Sequence, residues 1–391
     1  MCSTLPSRLL LSLLAAITTG CDSVTDPQDA LAPRTSVAAK SAPATPTPVV
    51  VMSGLDNPRG VAMASDGTIY VAESGNTTLN GVCIATPPRG DTCWSGTGAI
   101  SRLRRGVQER IATHMPSTFL RIRQRDPVTG VDRFLSLDAT GPHHLVVGES
   151  DAGMLTMGLG IDPALRPALG PDAAALGHLI RFLPNGKWNV AEDIAAFEAA
   201  NNPDTRGLNS NAYGLAMVRG RALVADAGAN DVIEVAPNGA MSLVAVFPRI
   251  PKPAGLPGPA LVEAVPTAVR VGVDGALYVS HLTGVPFAAG LSAIYRLADD
   301  GTATMVAGGF KSIIDFDIAG DGTIYVLQHA SSPFNMEGPG RLIAVSPDGT
   351  RTTRLDNLVY PTAVLVGRDD DLYVTNVGTT SGQGQLLRLS R

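Results

Sequence analysis

Residues 58–71 read PRGVAMASDGTIYV, and this phrase decides the fold. It opens with a proline and small or apolar residues, continues to Asp66-Gly67, and ends in an apolar-Tyr-Val run. An Asp-Gly pair suits a tight turn between antiparallel strands, because glycine adopts positive φ without a steric penalty. The phrase therefore predicts a β-hairpin.

The same phrase returns five times along the chain. Clear copies begin at Pro266, Ile313 and Pro361, and weaker copies begin at Pro142 and Asn211. A second hairpin follows each of the first five copies. Its turns are Arg105-Gly106, Asn185-Gly186, Asn238-Gly239, Asp300-Gly301 and Asp348-Gly349. Each repeat is therefore predicted to be a four-stranded antiparallel meander.

The two ends of the repeat region complete each other. The sixth repeat stops after a third strand at residues 385–389, whereas residues 49–52 are an apolar segment without a hairpin partner. Pairing these segments would supply the fourth strand and cover two sheet edges. The sequence thus predicts an all-β fold over residues 49–391: a six-bladed β-propeller of four-stranded antiparallel blades, closed by an N-terminal strand on the C-terminal blade. A two-sheet sandwich is the alternative.

The first two repeats are longer than the others. Extra residues lie at 76–98 and 118–137, and residues 191–200 have helical composition. Cys83 and Cys93 belong to the first insertion, which has little means of packing itself. We predict a disulfide between them, because bridges form in exported proteins and rigidify such loops.

The N-terminus predicts export. Residues 1–20 have the features of a signal peptide, with Arg8 before a short apolar run and small residues before Cys21. Small residues before a cysteine are typical of a lipoprotein cleavage site, although Thr18 stands where leucine is usual. We expect lipidation at Cys21 in the cell envelope, with plain secretion as the alternative. Residues 21–48 are rich in Pro, Ala, Ser and Thr, which predicts a disordered tether.

Composition limits the class of partner. The 391 residues carry a formal net charge of −5, so the chain has no electrostatic attraction for phosphate backbones. We therefore expect no nucleic acid and no membrane contact beyond the lipid anchor. The expected partner of this presumed monomer is a small molecule, a carbohydrate or a protein.

Candidate site residues come from the geometry of propellers. Inner strands line the channel, and the loops that follow the second strands open on one face. The residues that we place just past the second strands are Glu73, Met157, Asp226, His281, Gln328 and Asn376. We add His143 and Asn211 near the starts of inner strands. Asp315 joins them because a carboxylate among apolar neighbours must face the channel or a partner.

Two interpretations of these polar residues stay open. Asp and Asn at such positions commonly cap their own turns. Alternatively, the side chains form a ring for a polar small molecule or a metal, with Glu73, Asp226 and Asn376 as oxygen donors for Ca²⁺. The first interpretation favours a non-catalytic binding or scaffold propeller. The second allows a Ca²⁺-dependent hydrolase or lactonase, by fold analogy alone. We assign no catalytic residues.

Several segments together resemble the ScyD/ScyE family, exported propeller proteins named for their association with the scytonemin pigment pathway. The segments that carry the resemblance are 54–60, 210–215, 225–228, 265–267, 282–287 and 378–382. The resemblance covers most of the chain from Leu55 to Leu389 and implies the propeller fold and export. It implies no catalytic residues. The first two repeats also resemble NHL-type repeats, which generally form binding platforms.

Overall fold

The computed structural model describes residues 47–126, 130–148 and 150–391. The predicted signal peptide, Cys21 and nearly all of the predicted tether lie outside the described residues. Within the described ranges, no helix combines the length and the apolar character needed to cross a bilayer.

The first nine strands comprise the closing strand β1, the four strands of the first blade and four strands of inserted sequence. They are β1 (Val49–Leu55), β2 (Pro58–Met63), β3 (Ile69–Glu73), β4 (Cys83–Thr86), β5 (Gly90–Trp94), β6 (Gly98–Arg104), β7 (Val107–Met115), β8 (Thr118–Arg125) and β9 (Asp132–Thr140). The first blade is the antiparallel sheet β2-β3-β6-β7, with β2 innermost.

Blades two to four are uninterrupted meanders in chain order. Blade two consists of β10 (Pro142–Val147), β11 (Gly153–Met157), β12 (His178–Phe182) and β13 (Trp188–Asp193). Blade three consists of β14 (Ala212–Val218), β15 (Arg221–Asp226), β16 (Asp231–Val235) and β17 (Met241–Val246). A small hairpin of β18 (Ile250–Pro251) and β19 (Leu261–Val262) precedes blade four, which consists of β20 (Pro266–Val271), β21 (Leu277–His281), β22 (Ser292–Leu297) and β23 (Ala303–Phe310).

The last two blades close the ring. Blade five consists of β24 (Ile313–Ile318), β25 (Ile324–Gln328), β26 (Gly340–Val345) and β27 (Arg351–Leu358). Blade six consists of β28 (Val364–Val366), β29 (Leu372–Asn376), β30 (Gly384–Leu389) and β1. Val50 of β1 lies opposite Leu387 of β30, and β28 lies against β2. The predicted six-bladed propeller and its closure are confirmed.

Side chains join every blade to the next. At each of the six junctions, a side chain of one blade hydrogen-bonds a backbone group of the following blade. The pairs around the ring are Ser74 with Pro142, Thr156 with Tyr213, Asn230 with Val265, Thr267 with Ile313, His329 with Pro361 and Thr362 with Pro58. Buried backbone polar groups require partners, so these bonds fix where neighbouring inner strands meet.

Small residues in the repeated phrase let the inner strands approach each other. A Cβ atom on Gly60 would lie 2.6 Å from the carbonyl oxygen of His143 in the next blade. A Cβ atom on Gly214 would lie 2.8 Å from the Cα of Ala268. A larger residue at either position would push two inner strands apart.

The inserted residues form a sheet that the sequence did not predict. Strands β4, β5, β8 and β9 pair in the order β4-β5-β8-β9 as a separate four-stranded sheet, which we call the cap sheet. Cys83 and Cys93 face each other across β4 and β5 and are joined by the predicted disulfide. The two insertions are therefore one structural unit, made from a hairpin within blade one and a hairpin between blades one and two.

The predicted helix begins later than expected. Residues 191–193 belong to β13, and helix α1 spans Ile194–Asn201. The carboxylate of Asp193 accepts a hydrogen bond from the backbone N–H of Ala196 at 2.9 Å. This N-cap fixes the start of the helix, which composition alone did not locate. Two short 3-10 helices, Pro163–Leu169 and Pro171–Ala175, lie between β11 and β12.

The closing strand should contribute measurably to stability. Met52 is only 2 % exposed and packs in the core of the sixth blade, whereas Val49 on the same strand is 61 % exposed. We expect Met52→Ala to lower the free energy of unfolding by about 2–5 kcal/mol, because it leaves a cavity in the core. Val49→Ala should change it by less than about 0.5 kcal/mol. Equal urea midpoints for the two variants would contradict the packing of β1 into this blade.

Candidate functional site at the capped channel mouth

A cavity of about 1050 Å³ lies where the six inner strands converge. Each blade contributes one residue at or just before the start of its inner strand. These residues are Arg59, His143, Tyr213, Thr267, Ile314 and Thr362. All six follow the opening proline of the repeated phrase, or the residue that replaces it, Ala212 or Ile313. The repeat therefore places equivalent positions around one opening.

The cap sheet forms part of the cavity wall, together with the six blades. Phe119, Leu137 and Asp138 are among its contributions. Arg59 is 5 % exposed and connects the two parts, since it pairs with the Asp138 carboxylate and donates to the Ala139 carbonyl at 3.1 Å. Its other terminal nitrogen donates to the carbonyl of Gly378 at 2.7 Å. One buried guanidinium thus ties blade one, blade six and the cap sheet together.

Two histidines in the cavity wall have a defined tautomer. The Nδ1 of His143 lies 3.1 Å from the carbonyl oxygen of Ala212, and the Nδ1 of His329 lies 2.8 Å from that of Pro361. Since a carbonyl only accepts, each Nδ1 carries the proton and each Nε2 keeps a lone pair. Burial lowers the pKa of His143 to about 3, with Arg59 adding to the effect, and burial also lowers the pKa of His329. Both rings are neutral at neutral pH.

The charged groups of the cavity wall have protein partners. Arg59 pairs with Asp138, and Glu263 pairs with arginines 206 and 249 at 3.1 and 2.6 Å. The guanidinium of Arg89 donates to the carbonyl of Gly160 at 3.3 Å. Burial raises the pKa of the Tyr213 hydroxyl, which therefore stays protonated. Arg59, Asp138 and Glu263 are thus paired with opposite charges, whereas the partner named for Arg89 is an uncharged carbonyl.

Two of the eight predicted ligand-binding residues, His143 and Asn211, line this cavity. A Cβ atom on Gly158 would lie 2.2 Å from Cε1 of His143 and 2.6 Å from Oδ1 of Asn211, so the glycine leaves room for both side chains. The Oδ1 atom of Asn211 is buried and has no hydrogen-bond partner.

The three predicted Ca²⁺ ligands lie outside the cavity wall and hold protein partners instead. Glu73 binds Arg110 at 2.7 Å and the Ser101 hydroxyl. Asp226 accepts from the Ser210 hydroxyl at 2.7 Å, from the N–H of Asn211 at 2.6 Å and from two N–H groups of its own turn, those of Gly228 and Ala229. Asn376 accepts from the N–H of Val359 at 2.7 Å. Every carbonyl or carboxylate oxygen of these three side chains has a donor, so as arranged they do not fit a Ca²⁺ site.

Within the described ranges, no three His, Cys, Asp or Glu side chains are placed to hold a metal ion. Of these three residues, only Asp226 caps its own turn, through the N–H groups of Gly228 and Ala229, whereas Glu73 and Asn376 bind groups remote in sequence. Calcium binding by them stays a prediction from the sequence.

The remaining predicted residues, Asp315, Gln328 and His281, also lie outside the cavity wall. Asp315 accepts from Arg270 at 2.6 Å and from the N–H of Val364 at 3.0 Å, while burial raises its pKa to about 6. Asp315 was expected to face the channel or a partner, and its partners are Arg270 and the N–H of Val364. Gln328 donates to the carbonyl of Lys311 at 2.9 Å.

His281 lies between two aromatic rings. Its ring centroid is 4.3 Å from that of Phe247 and 4.4 Å from that of Tyr295. Neither ring nitrogen has a hydrogen-bond partner, although the residue is buried. The side chain therefore packs as an aromatic group in the core.

Six of the predicted positions miss the cavity wall because of where the second strands end. The six residues that were placed past the second strands are instead the last residues of those strands. Glu73, for example, pairs with Pro58, the first residue of the inner strand. The residue after Pro58 lines the cavity, so aligning the second position of each phrase would have found Arg59, whereas Tyr213 is the third residue of the phrase that was predicted to begin at Asn211.

A closed ring of six four-stranded blades around a capped channel defines a β-propeller. No protein-family model and no curated protein matches the sequence. Among solved structures, a streptogramin B lyase is 10% identical, with 88% of this chain and 97% of that chain covered and a TM-score of 0.47. A virginiamycin B lyase from Staphylococcus aureus is 11% identical over 88% and 98% of the two chains, with a TM-score of 0.43. A nidogen–laminin complex is 13% identical over 73% and 84%, with a TM-score of 0.42. Likenesses at this level carry no information on activity.

The Arg59 contacts predict a large loss of stability when its charge is removed. We expect Arg59→Met to lower the free energy of unfolding by about 2–4 kcal/mol, because it leaves the carbonyls of Gly378 and Ala139 without their donor, while Asp138 is exposed to solvent. The matched control is Arg104→Met, whose pair with Asp66 is exposed and should contribute less than about 1 kcal/mol. Similar urea midpoints for both variants would contradict the role of Arg59 in joining cap and ring.

The surroundings of His281 predict a pH-dependent penalty. Burial lowers the pKa of His281 from 6.5 to about 3. Between these two pH values, the imidazole takes up a proton in the unfolded chain but not in the folded protein. Stability should therefore fall as pH falls below about 6.5. His281→Phe should remove only the share of His281, because burial lowers the pKa of other histidines as well, and the variant should become more stable relative to wild type as pH falls from about 7 to 5, measured by urea unfolding. His114→Phe, at an exposed position, is the control; a wild-type slope in His281→Phe would contradict the assignment.

Proposed function

We propose that this protein is an exported, non-catalytic binding propeller that holds a neutral small molecule in the capped cavity. The observation that supports this most is the convergence of all six inner strands and the cap sheet on one cavity of about 1050 Å³. Pockets for small ligands typically measure about 300–1,000 Å³. The cavity is therefore large enough for a molecule of several rings.

The cavity wall favours a particular ligand chemistry. The charges of Arg59, Asp138 and Glu263 are balanced by protein partners, and Arg89 is exposed, so a charged ligand held beside the first three would be desolvated without gaining a counter-charge. Aromatic side chains line it, among them Phe119, Tyr213 and Phe287. The Nε2 atoms of the two neutral histidines are acceptors, because Nδ1 carries the proton in each ring. The proposed ligand is thus a neutral, partly aromatic molecule with hydroxyl or N–H donors.

The proposal places the protein in the cell envelope. It includes cleavage of the signal peptide before Cys21, lipidation of that residue and membership of the ScyD/ScyE family. The support for export is the character of residues 1–20, together with the disulfide between Cys83 and Cys93. The support for the family is the set of segments quoted above.

A compound screen tests the proposal. Neutral phenols and polyols are screened by thermal shift, and the affinity of each hit is measured by titration calorimetry. Thr380→Trp narrows the cavity and should weaken binding at least about tenfold, whereas Thr352→Trp on the outer strand of blade five is the matched control. Mass spectrometry should recover the ligand unchanged, with or without Ca²⁺. Formation of a hydrolysis product, or equal affinities in the two variants, would contradict the proposal.

A further inference from the structure

A second groove, separate from the capped cavity, holds both tryptophans of the chain. Its volume is about 430 Å³, and Trp94 and Trp188 both line it. Trp94 ends strand β5 of the cap sheet, and Trp188 begins strand β13 of blade two. We propose that this groove, here called the tryptophan groove, binds a sugar ring of an oligosaccharide. The proposal does not depend on the ligand of the capped cavity.

Trp94 is held rigidly for this role. Its backbone N–H donates to the carbonyl of Val82 at 2.9 Å, and its neighbour Cys93 is in the disulfide. Two glycines border its indole. A Cβ atom on Gly81 would lie 2.8 Å from Cδ1, and one on Gly96 would lie 2.9 Å from Cζ2. Because the ring is fixed before binding, a ligand stacked on it loses little affinity to side-chain ordering.

Polar groups with exposed side chains surround the two indoles. Asn80, His114 and Asp172 line the same groove and are exposed. The Nδ2 of Asn80 donates to the carbonyl of Ser95 at 2.7 Å, which fixes the amide plane and leaves Oδ1 as an acceptor. The groove therefore combines two apolar ring systems with an amide, an imidazole and a carboxylate at its border.

This combination matches the two-sided chemistry of a sugar ring. One face of a pyranose presents C–H groups, which pack on an indole, and its edge presents hydroxyls, which need donors and acceptors. An organic cation would also pack on tryptophan. Only one of the three border residues named here is acidic, however, and exposed ionic pairs contribute little. The balance of side chains favours a neutral saccharide.

Intrinsic fluorescence reports directly on this site, since no tryptophan lies elsewhere in the chain. The protein is titrated with cellohexaose, chitohexaose, maltohexaose and choline. We expect at least one saccharide to shift or quench the emission saturably, with a Kd below about 1 mM. Trp188→Ala should weaken that affinity at least about tenfold, with Trp94 as the remaining reporter.

Further variants separate binding from folding. Asp172→Ala changes an exposed side chain and should weaken binding several-fold while the thermal midpoint stays at the wild-type value, whereas Asn80→Ala should weaken binding several-fold and also lower the midpoint slightly, because it removes the bond to the Ser95 carbonyl. Phe334→Ala, an aromatic that is 45 % exposed on the fifth blade, is the matched control and should bind as wild type does. The proposal is overturned if none of the saccharides changes the emission, if the Asn80 and Asp172 variants bind with undiminished affinity, or if choline binds in their place.

Discussion

The antiparallel pairing of β1 with β30 is the interaction on which the rest of the structure depends. Without β1, the sixth blade would have three strands and an open edge, and sheet edges of this kind invite association with other chains. With β1 in place, the blade matches the other five, and β28 reaches β2 across the closing junction. There, the hydroxyl of Thr362 donates to the carbonyl of Pro58, the last of the six bonds between blades. The inner strands then surround one channel, and each blade presents to it a residue near the start of its inner strand.

The repeat explains the ring, whereas the insertions explain the site. Six equivalent positions create an opening with approximate rotational symmetry, which by itself distinguishes no ligand. The cap sheet breaks that symmetry because it arises only around the first two repeats. Arg59 connects the ring and the cap sheet through its ion pair with Asp138, and this pair neutralises the charge of the guanidinium. The cavity therefore owes its shape to the insertions, and the pairing of Arg59 with Asp138 leaves neither charge free for a ligand. Both properties enter the proposed choice of ligand.

The sequence predicted the fold almost completely because the fold is local and repeated. Each hairpin is encoded by a turn and two flanking strands, and the closure followed from one missing and one unpaired strand, including the pairing of Val50 with Leu387. The cap sheet escaped prediction because β5 pairs with β8, a contact between two insertions that share no repeated phrase. The site was predicted in part. His143 and Asn211 line the cavity, whereas residues such as Glu73 end the second strand and are held by partners such as Arg110, which no local pattern reveals.

The closure can be measured directly with a cross-strand cysteine pair. Val49 and Arg388 lie opposite each other on β1 and β30. Opposed residues of antiparallel strands have Cα atoms about 4.5–5.5 Å apart, which is within the range of a disulfide. In a chain with Cys2 and Cys21 replaced by serine, Val49→Cys with Arg388→Cys should form an intramolecular disulfide under mild oxidation, detected by peptide mapping. A pair that stays reduced, or that links only separate molecules, would contradict a ring closed by these two strands.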